Sequence, residues 1–155
     1  MQIRDFMTPS VVTVREDTTL AEVARTMLEH HVGGVPVVHA QGTLSGIITV
    51  SDFAAKEHGI SFSTFRAPQV LGHWLGGEPL EQMYAMARDM TVRDIMSAHV
   101  ITRKEDQAAE DAVTLFLRHD ISWIPVVRDG APVGMVSQHD LLRLMLHQPE
   151  SGARP

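Results

Sequence analysis

The stretch GIITVSDF, residues 46–53, has the pattern of an apolar strand that ends in small polar residues and turns into a helix at Asp52. A related stretch, GMVSQHDL, occupies residues 134–141. Both begin with a glycine and an apolar pair, and both carry a threonine or serine three positions before an aspartate. This recurrence predicts that the chain contains two copies of one small fold, each with a strand that leads into a helix.

The similarity extends upstream of both stretches. Residues 3–38 align with residues 92–127 without a gap, and 12 of the 36 aligned residues are identical. The copies are too far apart in the sequence for a solenoid repeat. The sequence therefore predicts a first domain at residues 1–56, an insertion at residues 57–90, a second domain at residues 91–147 and a flexible polar tail at residues 148–155.

Each copy has the same expected order of elements, β-α-β-β-α, which gives an α/β (α+β) fold class. In the first copy, strands are predicted at residues 11–14, 35–38 and 44–50, and further helices are predicted after Asp52 and Asp140. The first helix of each copy is amphipathic. Its apolar stripe consists of Leu20, Val23, Ala24, Met27 and Leu28 in the first copy and of Ala112, Val113, Phe116 and Leu117 in the second.

Two further features of the sequence predict local structure. Thr19 and Glu22 have the spacing of a capping box at the start of the first helix. The insertion is too apolar for a flexible linker, so we expect an ordered, partly helical segment that adds core packing, forms a dimer contact or covers a ligand pocket. A helix is predicted from Pro79, with Leu80, Met83, Tyr84 and Ala87 on one face.

The composition argues against several classes of function. A net charge of −6 disfavours binding along a nucleic-acid backbone, which needs a basic face. The chain has no cysteine, so disulfides, thiolate nucleophiles and thiolate metal sites are excluded. There is no apolar run of membrane-spanning length and no signal-peptide pattern at the N-terminus. We therefore expect a cytoplasmic protein without a membrane or nucleic-acid partner.

Neither catalysis nor metal binding is predicted. The motifs HExxH, GxSxG, GxGxxG and GxxxxGK[ST] are absent from the sequence. Ser137, His139 and Asp140 are neighbours in sequence, whereas a catalytic triad converges from separate places. His30 and His31 are adjacent and point to different faces of a helix, so the nine histidines include no local pair at metal-ligand spacing.

The repeated strand-to-helix junction has two interpretations. Thr49, Ser51 and Asp52 in the first copy would cap a helix, because hydroxyl and carboxylate oxygens accept its unpaired N–H groups. Alternatively, the carboxylate would accept the two neighbouring hydroxyls of a ribose, and the hydroxyl side chain would add a further bond. The same choice applies to the second copy, at Ser137, His139 and Asp140.

The ordered set of repeated motifs resembles a stand-alone pair of cystathionine-beta-synthase (CBS) domains, a Bateman module. RDFMTPSVVTV and RDIMSAHVITR open the copies, VGGVPVV and ISWIPVV follow, and GIITVSD and GMVSQHD complete them. The resemblance implies two domains packed as a pseudo-twofold pair around an ordered insertion. It also implies a homodimer that regulates an unknown protein partner.

In CBS pairs, clefts between the domains bind adenosine-containing ligands such as AMP, ADP, ATP or S-adenosylmethionine, and binding changes the conformation or the dimer. The resemblance implies that the ribose is held by Thr49 and Asp52 and by Ser137 and Asp140. It further implies a base pocket at residues 32–35 and 121–124, with residues from both copies in each cleft. The latter ranges contain the candidate ligand-binding residues Gly33, Gly34, Val35, Ser122, Trp123 and Ile124.

This sequence departs from nucleotide-sensing CBS pairs before each strand proline. Basic residues that often bind phosphate there are replaced by Gly33-Gly34 and by Ser122-Trp123. The glycines leave space and free N–H groups for a ligand, whereas Trp123 would either stack on adenine or fill the cleft. His139 would contact a phosphate or remain solvated. The alternative function is a structural or protein-interaction module without nucleotide binding.

Overall fold

The computed structural model describes residues 1–9, 11–53 and 80–147 of the 155-residue chain. The chain divides into two compact units. Val12–Val100 forms the first-repeat unit. Met1–Val11 and Ile101–Pro155 together form the second-repeat unit.

The described elements follow the predicted order β-α-β-β-α in the second copy and its first four elements in the first copy. The strands are β1 (Thr8–Pro9), β2 (Val14–Arg15), β3 (Gly34–Val38), β4 (Leu44–Thr49), β5 (Arg103–Lys104), β6 (Trp123–Arg128) and β7 (Ala131–Ser137). The α-helices are α1 (Leu20–His30), α2 (Leu80–Ala87), α3 (Val92–Ile95), α4 (Ala109–Arg118) and α5 (Leu141–Leu146).

The two sheets share one plan. In the first-repeat unit the strand order is β2-β3-β4, with β2 parallel and β4 antiparallel to β3. In the second-repeat unit the order is β1-β7-β6-β5, with β5 parallel and β7 antiparallel to β6. The central hairpin is irregular at matching places, between Val37 and Val38 and between Val126 and Val127. Such a bulge bends the strand locally.

Each unit has its own apolar core, formed where a helix packs on one face of the sheet. Burial of these side chains is the main stabilising contribution to each unit. The first core contains Val14, Leu20, Val23, Met27, Val35, Val37, Ile48, Ala87, Val92 and Ile95. The second contains Ile3, Phe6, Ala109, Ala112, Leu115, Ile124, Val126 and Val136.

We call residues 1–9 and 90–98, with which the two repeats begin, the opening segments. Each opening segment packs in the unit formed by the other repeat. In the second-repeat unit, the Ile3 N–H donates to the Gln107 carbonyl at 2.9 Å, and Thr8 pairs with Met135. In the first-repeat unit, the Val92 N–H donates to the Thr18 carbonyl at 2.9 Å. This reciprocal exchange was not predicted. The domain boundaries at residues 56 and 91 remain predictions from the sequence.

A methionine from each opening segment packs on a glycine of the neighbouring strand. Met7 lies against Gly134 on β7, and Met96 lies against Gly46 on β4. A Cβ atom at Gly134 would be 2.5 Å from Met7 Sδ, and one at Gly46 would be 2.7 Å from Met96 Sδ. The glycine that begins each repeated stretch of sequence therefore leaves space for a methionine side chain.

Several local predictions are confirmed. The Thr19 side chain accepts from the Glu22 N–H at 3.3 Å, and the Glu22 carboxylate accepts from the Thr19 N–H at 3.2 Å, which completes the capping box. Helices are present after Asp140 and at Leu80–Ala87. The predicted helix after Asp52 lies outside the described residues beyond Phe53, as do most of the insertion and the tail at residues 148–155.

Two predictions are wrong in detail. The first strand is Val14–Arg15 and does not include residues 11–13. The predicted stripes were too wide, because Leu28 and Leu117 are 76% and 82% exposed. Leu28 lies about 90° around the helix from the line of buried residues that Leu20 and Met27 define, so it lies at the edge of the face that packs on the sheet.

Candidate functional site

The first junction lies at the end of β4, where Thr49 leads into a 3₁₀ turn at Val50–Phe53. Thr49 pairs with Gly34 on β3. The Val50 N–H donates to the Gly33 carbonyl at 2.9 Å. The antiparallel hairpin therefore brings the predicted residues Gly33 and Gly34 next to the backbone of Thr49 and Val50.

The three predicted polar residues of this junction form one cluster. Asp52 Oδ2 accepts from the Thr49 N–H at 2.8 Å and from the Thr49 hydroxyl at 3.3 Å. Thr49 Oγ1 and Ser51 Oγ are 2.8 Å apart. Thr49 and Asp52 are partly buried and Ser51 is exposed. The result is a carboxylate and two hydroxyls on one tight turn, which can both donate and accept hydrogen bonds.

The second junction has the same geometry at the end of β7. Trp123 pairs with Ser137. The Gln138 N–H donates to the Ser122 carbonyl at 3.2 Å, the same bond that Val50 makes in the first copy. The predicted residues Ser122, Trp123 and Ser137 therefore lie together, next to the 3₁₀ turn Gln138–Asp140.

Asp140 and Ser137 cap this turn reciprocally. Asp140 Oδ2 accepts from the Ser137 N–H at 2.8 Å and from the Ser137 hydroxyl at 2.9 Å, and the Asp140 N–H donates back to Ser137 Oγ at 3.2 Å. The capping interpretation is therefore correct for the local contacts of this junction. Capping also fixes the orientation of the carboxylate, as a binding site requires.

The remaining candidate residues differ in how much of their surface is accessible. Val35 and Ile124 are 0% exposed, and their side chains belong to the two cores. Neither residue therefore presents accessible surface to a ligand at its junction. Trp123 is half-buried, whereas Ser122 and His139 are exposed. Among these remaining candidates, Trp123, Ser122 and His139 have side chains that offer surface to a ligand.

The described residues contain neither a cluster of metal ligands nor a membrane-spanning helix. Within residues 1–9, 11–53 and 80–147, no group of three or more histidine, aspartate or glutamate side chains could hold a metal ion. In the same part of the chain, none of the helices has both the length and the apolar character needed to cross a membrane.

Comparison with protein families accounts for the repeated junction. The family model described as the CBS domain matches residues 3–59 and 92–147. The chain belongs to the CBS-domain family. Each match contains one hairpin, one junction and one opening segment, so the two copies recognised in the sequence are two CBS domains.

Solved structures of other CBS domains have the same fold. The CBS domain of a CBS domain-containing membrane protein from Sphaerobacter thermophilus is 42% identical, with a TM-score of 0.70, and the match covers 93% of this chain and 87% of that chain. The CBS domain pair of protein MJ0100, in complex with methylthioadenosine and S-adenosyl-L-methionine, is 24% identical, with a TM-score of 0.67 and coverage of 94% and 95%.

A plant protein gives a third comparison. CBSX2, a chloroplastic protein of Arabidopsis thaliana, was solved in complex with AMP. It is 23% identical, with a TM-score of 0.68, and the match covers 94% of this chain and 96% of that chain. The predicted α+β fold class and the CBS-pair architecture are therefore confirmed.

Two residues at the second CBS junction were missed by sequence reasoning. The Thr8 hydroxyl lies 3.4 Å from Asp140 Oδ1, and Arg143 Nη1 lies 3.5 Å from the same oxygen. Thr8 is 132 positions away from Asp140. Such a contact leaves no local pattern, whereas the Arg143 contact follows from the neighbouring faces of a helix at i and i+3.

Proposed function

We propose that this CBS pair is a regulatory protein that binds an adenosine-containing ligand (AMP, ADP, ATP or S-adenosylmethionine) and signals by a change in conformation or dimer state. The observation that carries this proposal is the cluster of Thr49, Ser51 and Asp52 beside Gly33-Gly34. It presents an oriented carboxylate and hydroxyls at the end of a hairpin. We also propose that the protein is non-catalytic and cytoplasmic.

The chemistry of the junction suits a ribose. A vicinal diol donates two hydrogen bonds to a carboxylate, and the Thr49 or Ser51 hydroxyl can add another. Bonds to an ionised acceptor are about twice as strong as neutral ones. The partial exposure of Asp52 and Thr49 leaves surface for such contacts.

The base and the phosphates of the ligand would contact different residues from the ribose. At the second junction, Trp123 is half-buried and can stack on a purine through its ring face. Gly33-Gly34 and Ser122-Trp123 supply no positive charge where nucleotide-sensing CBS pairs often carry it. The adenosine part of the ligand is therefore expected to provide more of the binding free energy than its phosphates.

The two ligand-bound neighbours support this ligand class. MJ0100 was solved with S-adenosyl-L-methionine and methylthioadenosine, and CBSX2 was solved with AMP. These ligands share an adenosine unit and differ in the group attached to it. Both neighbours are below 25% sequence identity, so their ligands enter here only as candidates to be tested.

Thermal-shift titration followed by calorimetry tests the proposal. We expect AMP, ADP, ATP, adenosine or S-adenosylmethionine to raise the melting temperature, because a ligand that binds only the folded state stabilises it by mass action. The matched control is 2′-deoxyadenosine monophosphate, which lacks one hydroxyl of the diol and should give a smaller shift than AMP. An equal shift with both nucleotides contradicts a role for the diol.

A structural or protein-interaction module without nucleotide binding is the second candidate function. It is favoured by exposed apolar side chains on α5, where Leu142, Met145 and Leu146 are 58%, 84% and 83% exposed. The same surface supports our proposal that the protein forms a homodimer. If none of the five ligands shifts the melting temperature at concentrations up to the millimolar range, the interaction module replaces the ligand sensor.

A further inference from the structure

Two methionines attach the opening segments to their partner strands. Met7 and Met96 occupy equivalent positions in the aligned repeats, and each side chain packs on the glycine that begins a repeated stretch. That glycine has no Cβ atom, and the methionine sulfur lies only 2.5 Å at Gly134 and 2.7 Å at Gly46 from the place that a Cβ atom would occupy. We call these two spaces the glycine notches.

The glycine notches fit the methionine side chains closely. At Gly134, the Sδ, Cε and Cγ atoms of Met7 all lie within 3.2 Å of the missing Cβ position. At Gly46, the Ser97 carbonyl oxygen lies 2.8 Å from that position, beside the Met96 sulfur. Because each sulfur lies against strand backbone, one more atom on the sulfur would crowd the strand.

Both methionines nevertheless keep some solvent-accessible surface. Met7 and Met96 are partly buried, whereas Met27 and Met135 are each 6% exposed. The chain has no cysteine, so no thiol of its own competes with these thioethers for an oxidant. The two notch methionines therefore combine access for a small oxidant with a tightly packed sulfur.

Oxidation adds an oxygen atom to such a sulfur. In the reaction with hydrogen peroxide, the thioether sulfur attacks one peroxide oxygen and the O–O bond breaks. The sulfur loses two electrons and becomes a sulfoxide, while the other oxygen takes the proton of the transferred oxygen and leaves as water. A flexible apolar side chain thereby becomes polar and chiral.

A sulfoxide is unfavourable in either glycine notch. If the oxidised side chain stays, its new oxygen crowds the strand. At Met96 the notch also contains the Ser97 carbonyl, an acceptor that cannot donate a hydrogen bond to the sulfoxide. If the oxidised side chain turns out of the notch, its apolar contact with the glycine is lost. Both outcomes weaken the attachment of the opening segment.

We propose that Met7 and Met96 are oxidation-sensitive modification sites, and that conversion of either one to its sulfoxide by a peroxide releases the opening segment that carries it. Each segment begins one repeat and packs in the unit of the other, so its release removes one of the two exchanged attachments. The modification is reversible, because methionine sulfoxide reductases restore the thioether. The proposal is independent of ligand binding.

Peptide mass spectrometry after peroxide treatment tests the accessibility of the two sites. We expect Met7 and Met96 to be oxidised at a peroxide dose that leaves the buried Met27 and Met135 reduced. Met145 is 84% exposed on α5, so its oxidation shows that the dose was sufficient. If Met7 and Met96 stay reduced when Met145 is fully oxidised, the proposal is overturned.

Hydrogen exchange of the same samples tests the release. The Ile3 N–H donates to the Gln107 carbonyl at 2.9 Å, and the Ser97 N–H donates to the Ile47 carbonyl at 3.0 Å, so these two amides report on the two attachments. Oxidation should accelerate exchange at both amides by about tenfold or more, the effect expected from overpacking one close contact. Treatment with methionine sulfoxide reductases A and B, one for each sulfoxide epimer, should restore the original rates.

Leucine variants assign the effect to the two sulfurs. Met7→Leu and Met96→Leu remove the oxidisable atom and keep an apolar side chain of similar volume. In each variant, peroxide should no longer accelerate exchange in the segment that carries the substitution. Met145→Leu is the matched control and should respond to peroxide as the wild type does.

Repair of the wild type by the reductases needs no variant, so it decides the proposal even if a leucine variant does not fold. Two results overturn the proposal. The first is unchanged exchange of the Ile3 and Ser97 amides in wild type that is oxidised at Met7 and Met96. The second is acceleration that the reductases do not reverse or that the leucine variants do not prevent.

Discussion

Gly46 and Gly134 occupy equivalent positions but face different atoms. The three atoms nearest to a Cβ atom at Gly134 would all belong to the Met7 side chain, at 2.5 to 3.2 Å. A Cβ atom at Gly46 would meet the side chain of Met96 and also the Ser97 carbonyl oxygen, at 2.8 Å. A methionine side chain can change rotamer, whereas the Ser97 carbonyl is held by the Ile47 N–H at 3.0 Å and moves only with the backbone. The same substitution should therefore have unequal effects in the two repeats.

Gly46→Ala should lower the free energy of unfolding by about 1–3 kcal/mol, the usual range for overpacking. Gly134→Ala should lower it less, because Met7 can move away. Urea denaturation of both variants checks the difference. The interpretation is wrong if Gly134→Ala is the more destabilising change.

Arg103 occupies a position that is apolar in the other repeat. It pairs with Val126 on β6 as Val14 pairs with Val37 on β3, and Val14 is a core residue. Among the described residues, Arg103 Nε is buried without a hydrogen-bond partner. A buried donor without a partner destabilises a fold by about 1–3 kcal/mol.

Arg103→Val should raise the free energy of unfolding by about 1 kcal/mol, because it removes this donor and restores an apolar residue. Urea denaturation measures the change. Lys104→Val is the matched control, since it makes a similar substitution at the exposed neighbour in β5 and tests strand propensity alone. If Lys104→Val raises the free energy of unfolding by the same amount, the effect of Arg103→Val is due to strand propensity and not to removal of the unpaired donor.

At the scale of elements, an ion pair links α3 to the turn after β2. Arg93 Nη2 donates to Glu16 Oε2 at 2.7 Å, and His39 Nδ1 lies 3.1 Å from Glu16 Oε1. The hydrogen bond from Arg93, assisted by the Ser45 hydroxyl, holds the pKa of Glu16 below its usual value of 4.5. The ionised form of Glu16 is thus favoured in the folded protein.

This shift predicts how stability depends on pH. Because the pKa of the Glu16 carboxyl is lower in the folded than in the unfolded protein, ionisation of Glu16 stabilises the fold. This stabilisation is complete above about pH 4.5 and is lost as the pH falls through the lower pKa of the folded state. Glu16→Gln should therefore be less stable than the wild type near pH 7, and the difference should shrink below about pH 4.5. Urea denaturation across this range measures it. Asp17→Asn controls for net charge, and a pH-independent difference would contradict the prediction.

Elements with local signals were predicted well. The capping box at Thr19 and Glu22 depends on residues three apart, and helix α1 begins where this pair predicts. The width of the apolar stripe was overestimated because Leu28 is apolar yet lies at the edge of the buried face. Hydropathy alone does not distinguish a core leucine from an exposed one, since folded proteins expose much apolar surface.

At the scale of the whole molecule, the exposed face of α5 bears on assembly. Leu146 is 83% exposed on this helix, and Leu117 is 82% exposed on α4 of the same unit. If α5 forms the homodimer contact that we propose, a charge at Leu146 should separate the subunits, because an unpaired charge is costly to bury in an interface.

Size-exclusion chromatography with light scattering should find a dimer for the wild type and a monomer for Leu146→Glu. Leu117→Glu introduces the same charge at an equally exposed leucine and should remain dimeric. Dissociation by Leu117→Glu alone would move the interface to α4, and a monomeric wild type would reject the homodimer.

Part of the candidate site was predictable because, as with the fold, some of its signals lie between residues that are close in the sequence. Thr49, Asp52, Ser137 and Asp140 are close in sequence, and their repeated spacing identified both junctions. The contact between Thr8 and Asp140 was not predictable, because Thr8 reaches Asp140 only through the pairing of β1 with β7. Pairing between distant segments is a property of the folded chain and has no period in the sequence.

The exchange of opening segments has a consequence for the origin of the protein by gene duplication. In an ancestor with a single repeat, the corresponding contacts would join two separate molecules, and folding would depend on protein concentration. Fusion of two copies into one chain makes these contacts intramolecular and gives the segments a high effective concentration. Each half would then be free to change its own junction, provided that the other half still received its opening segment.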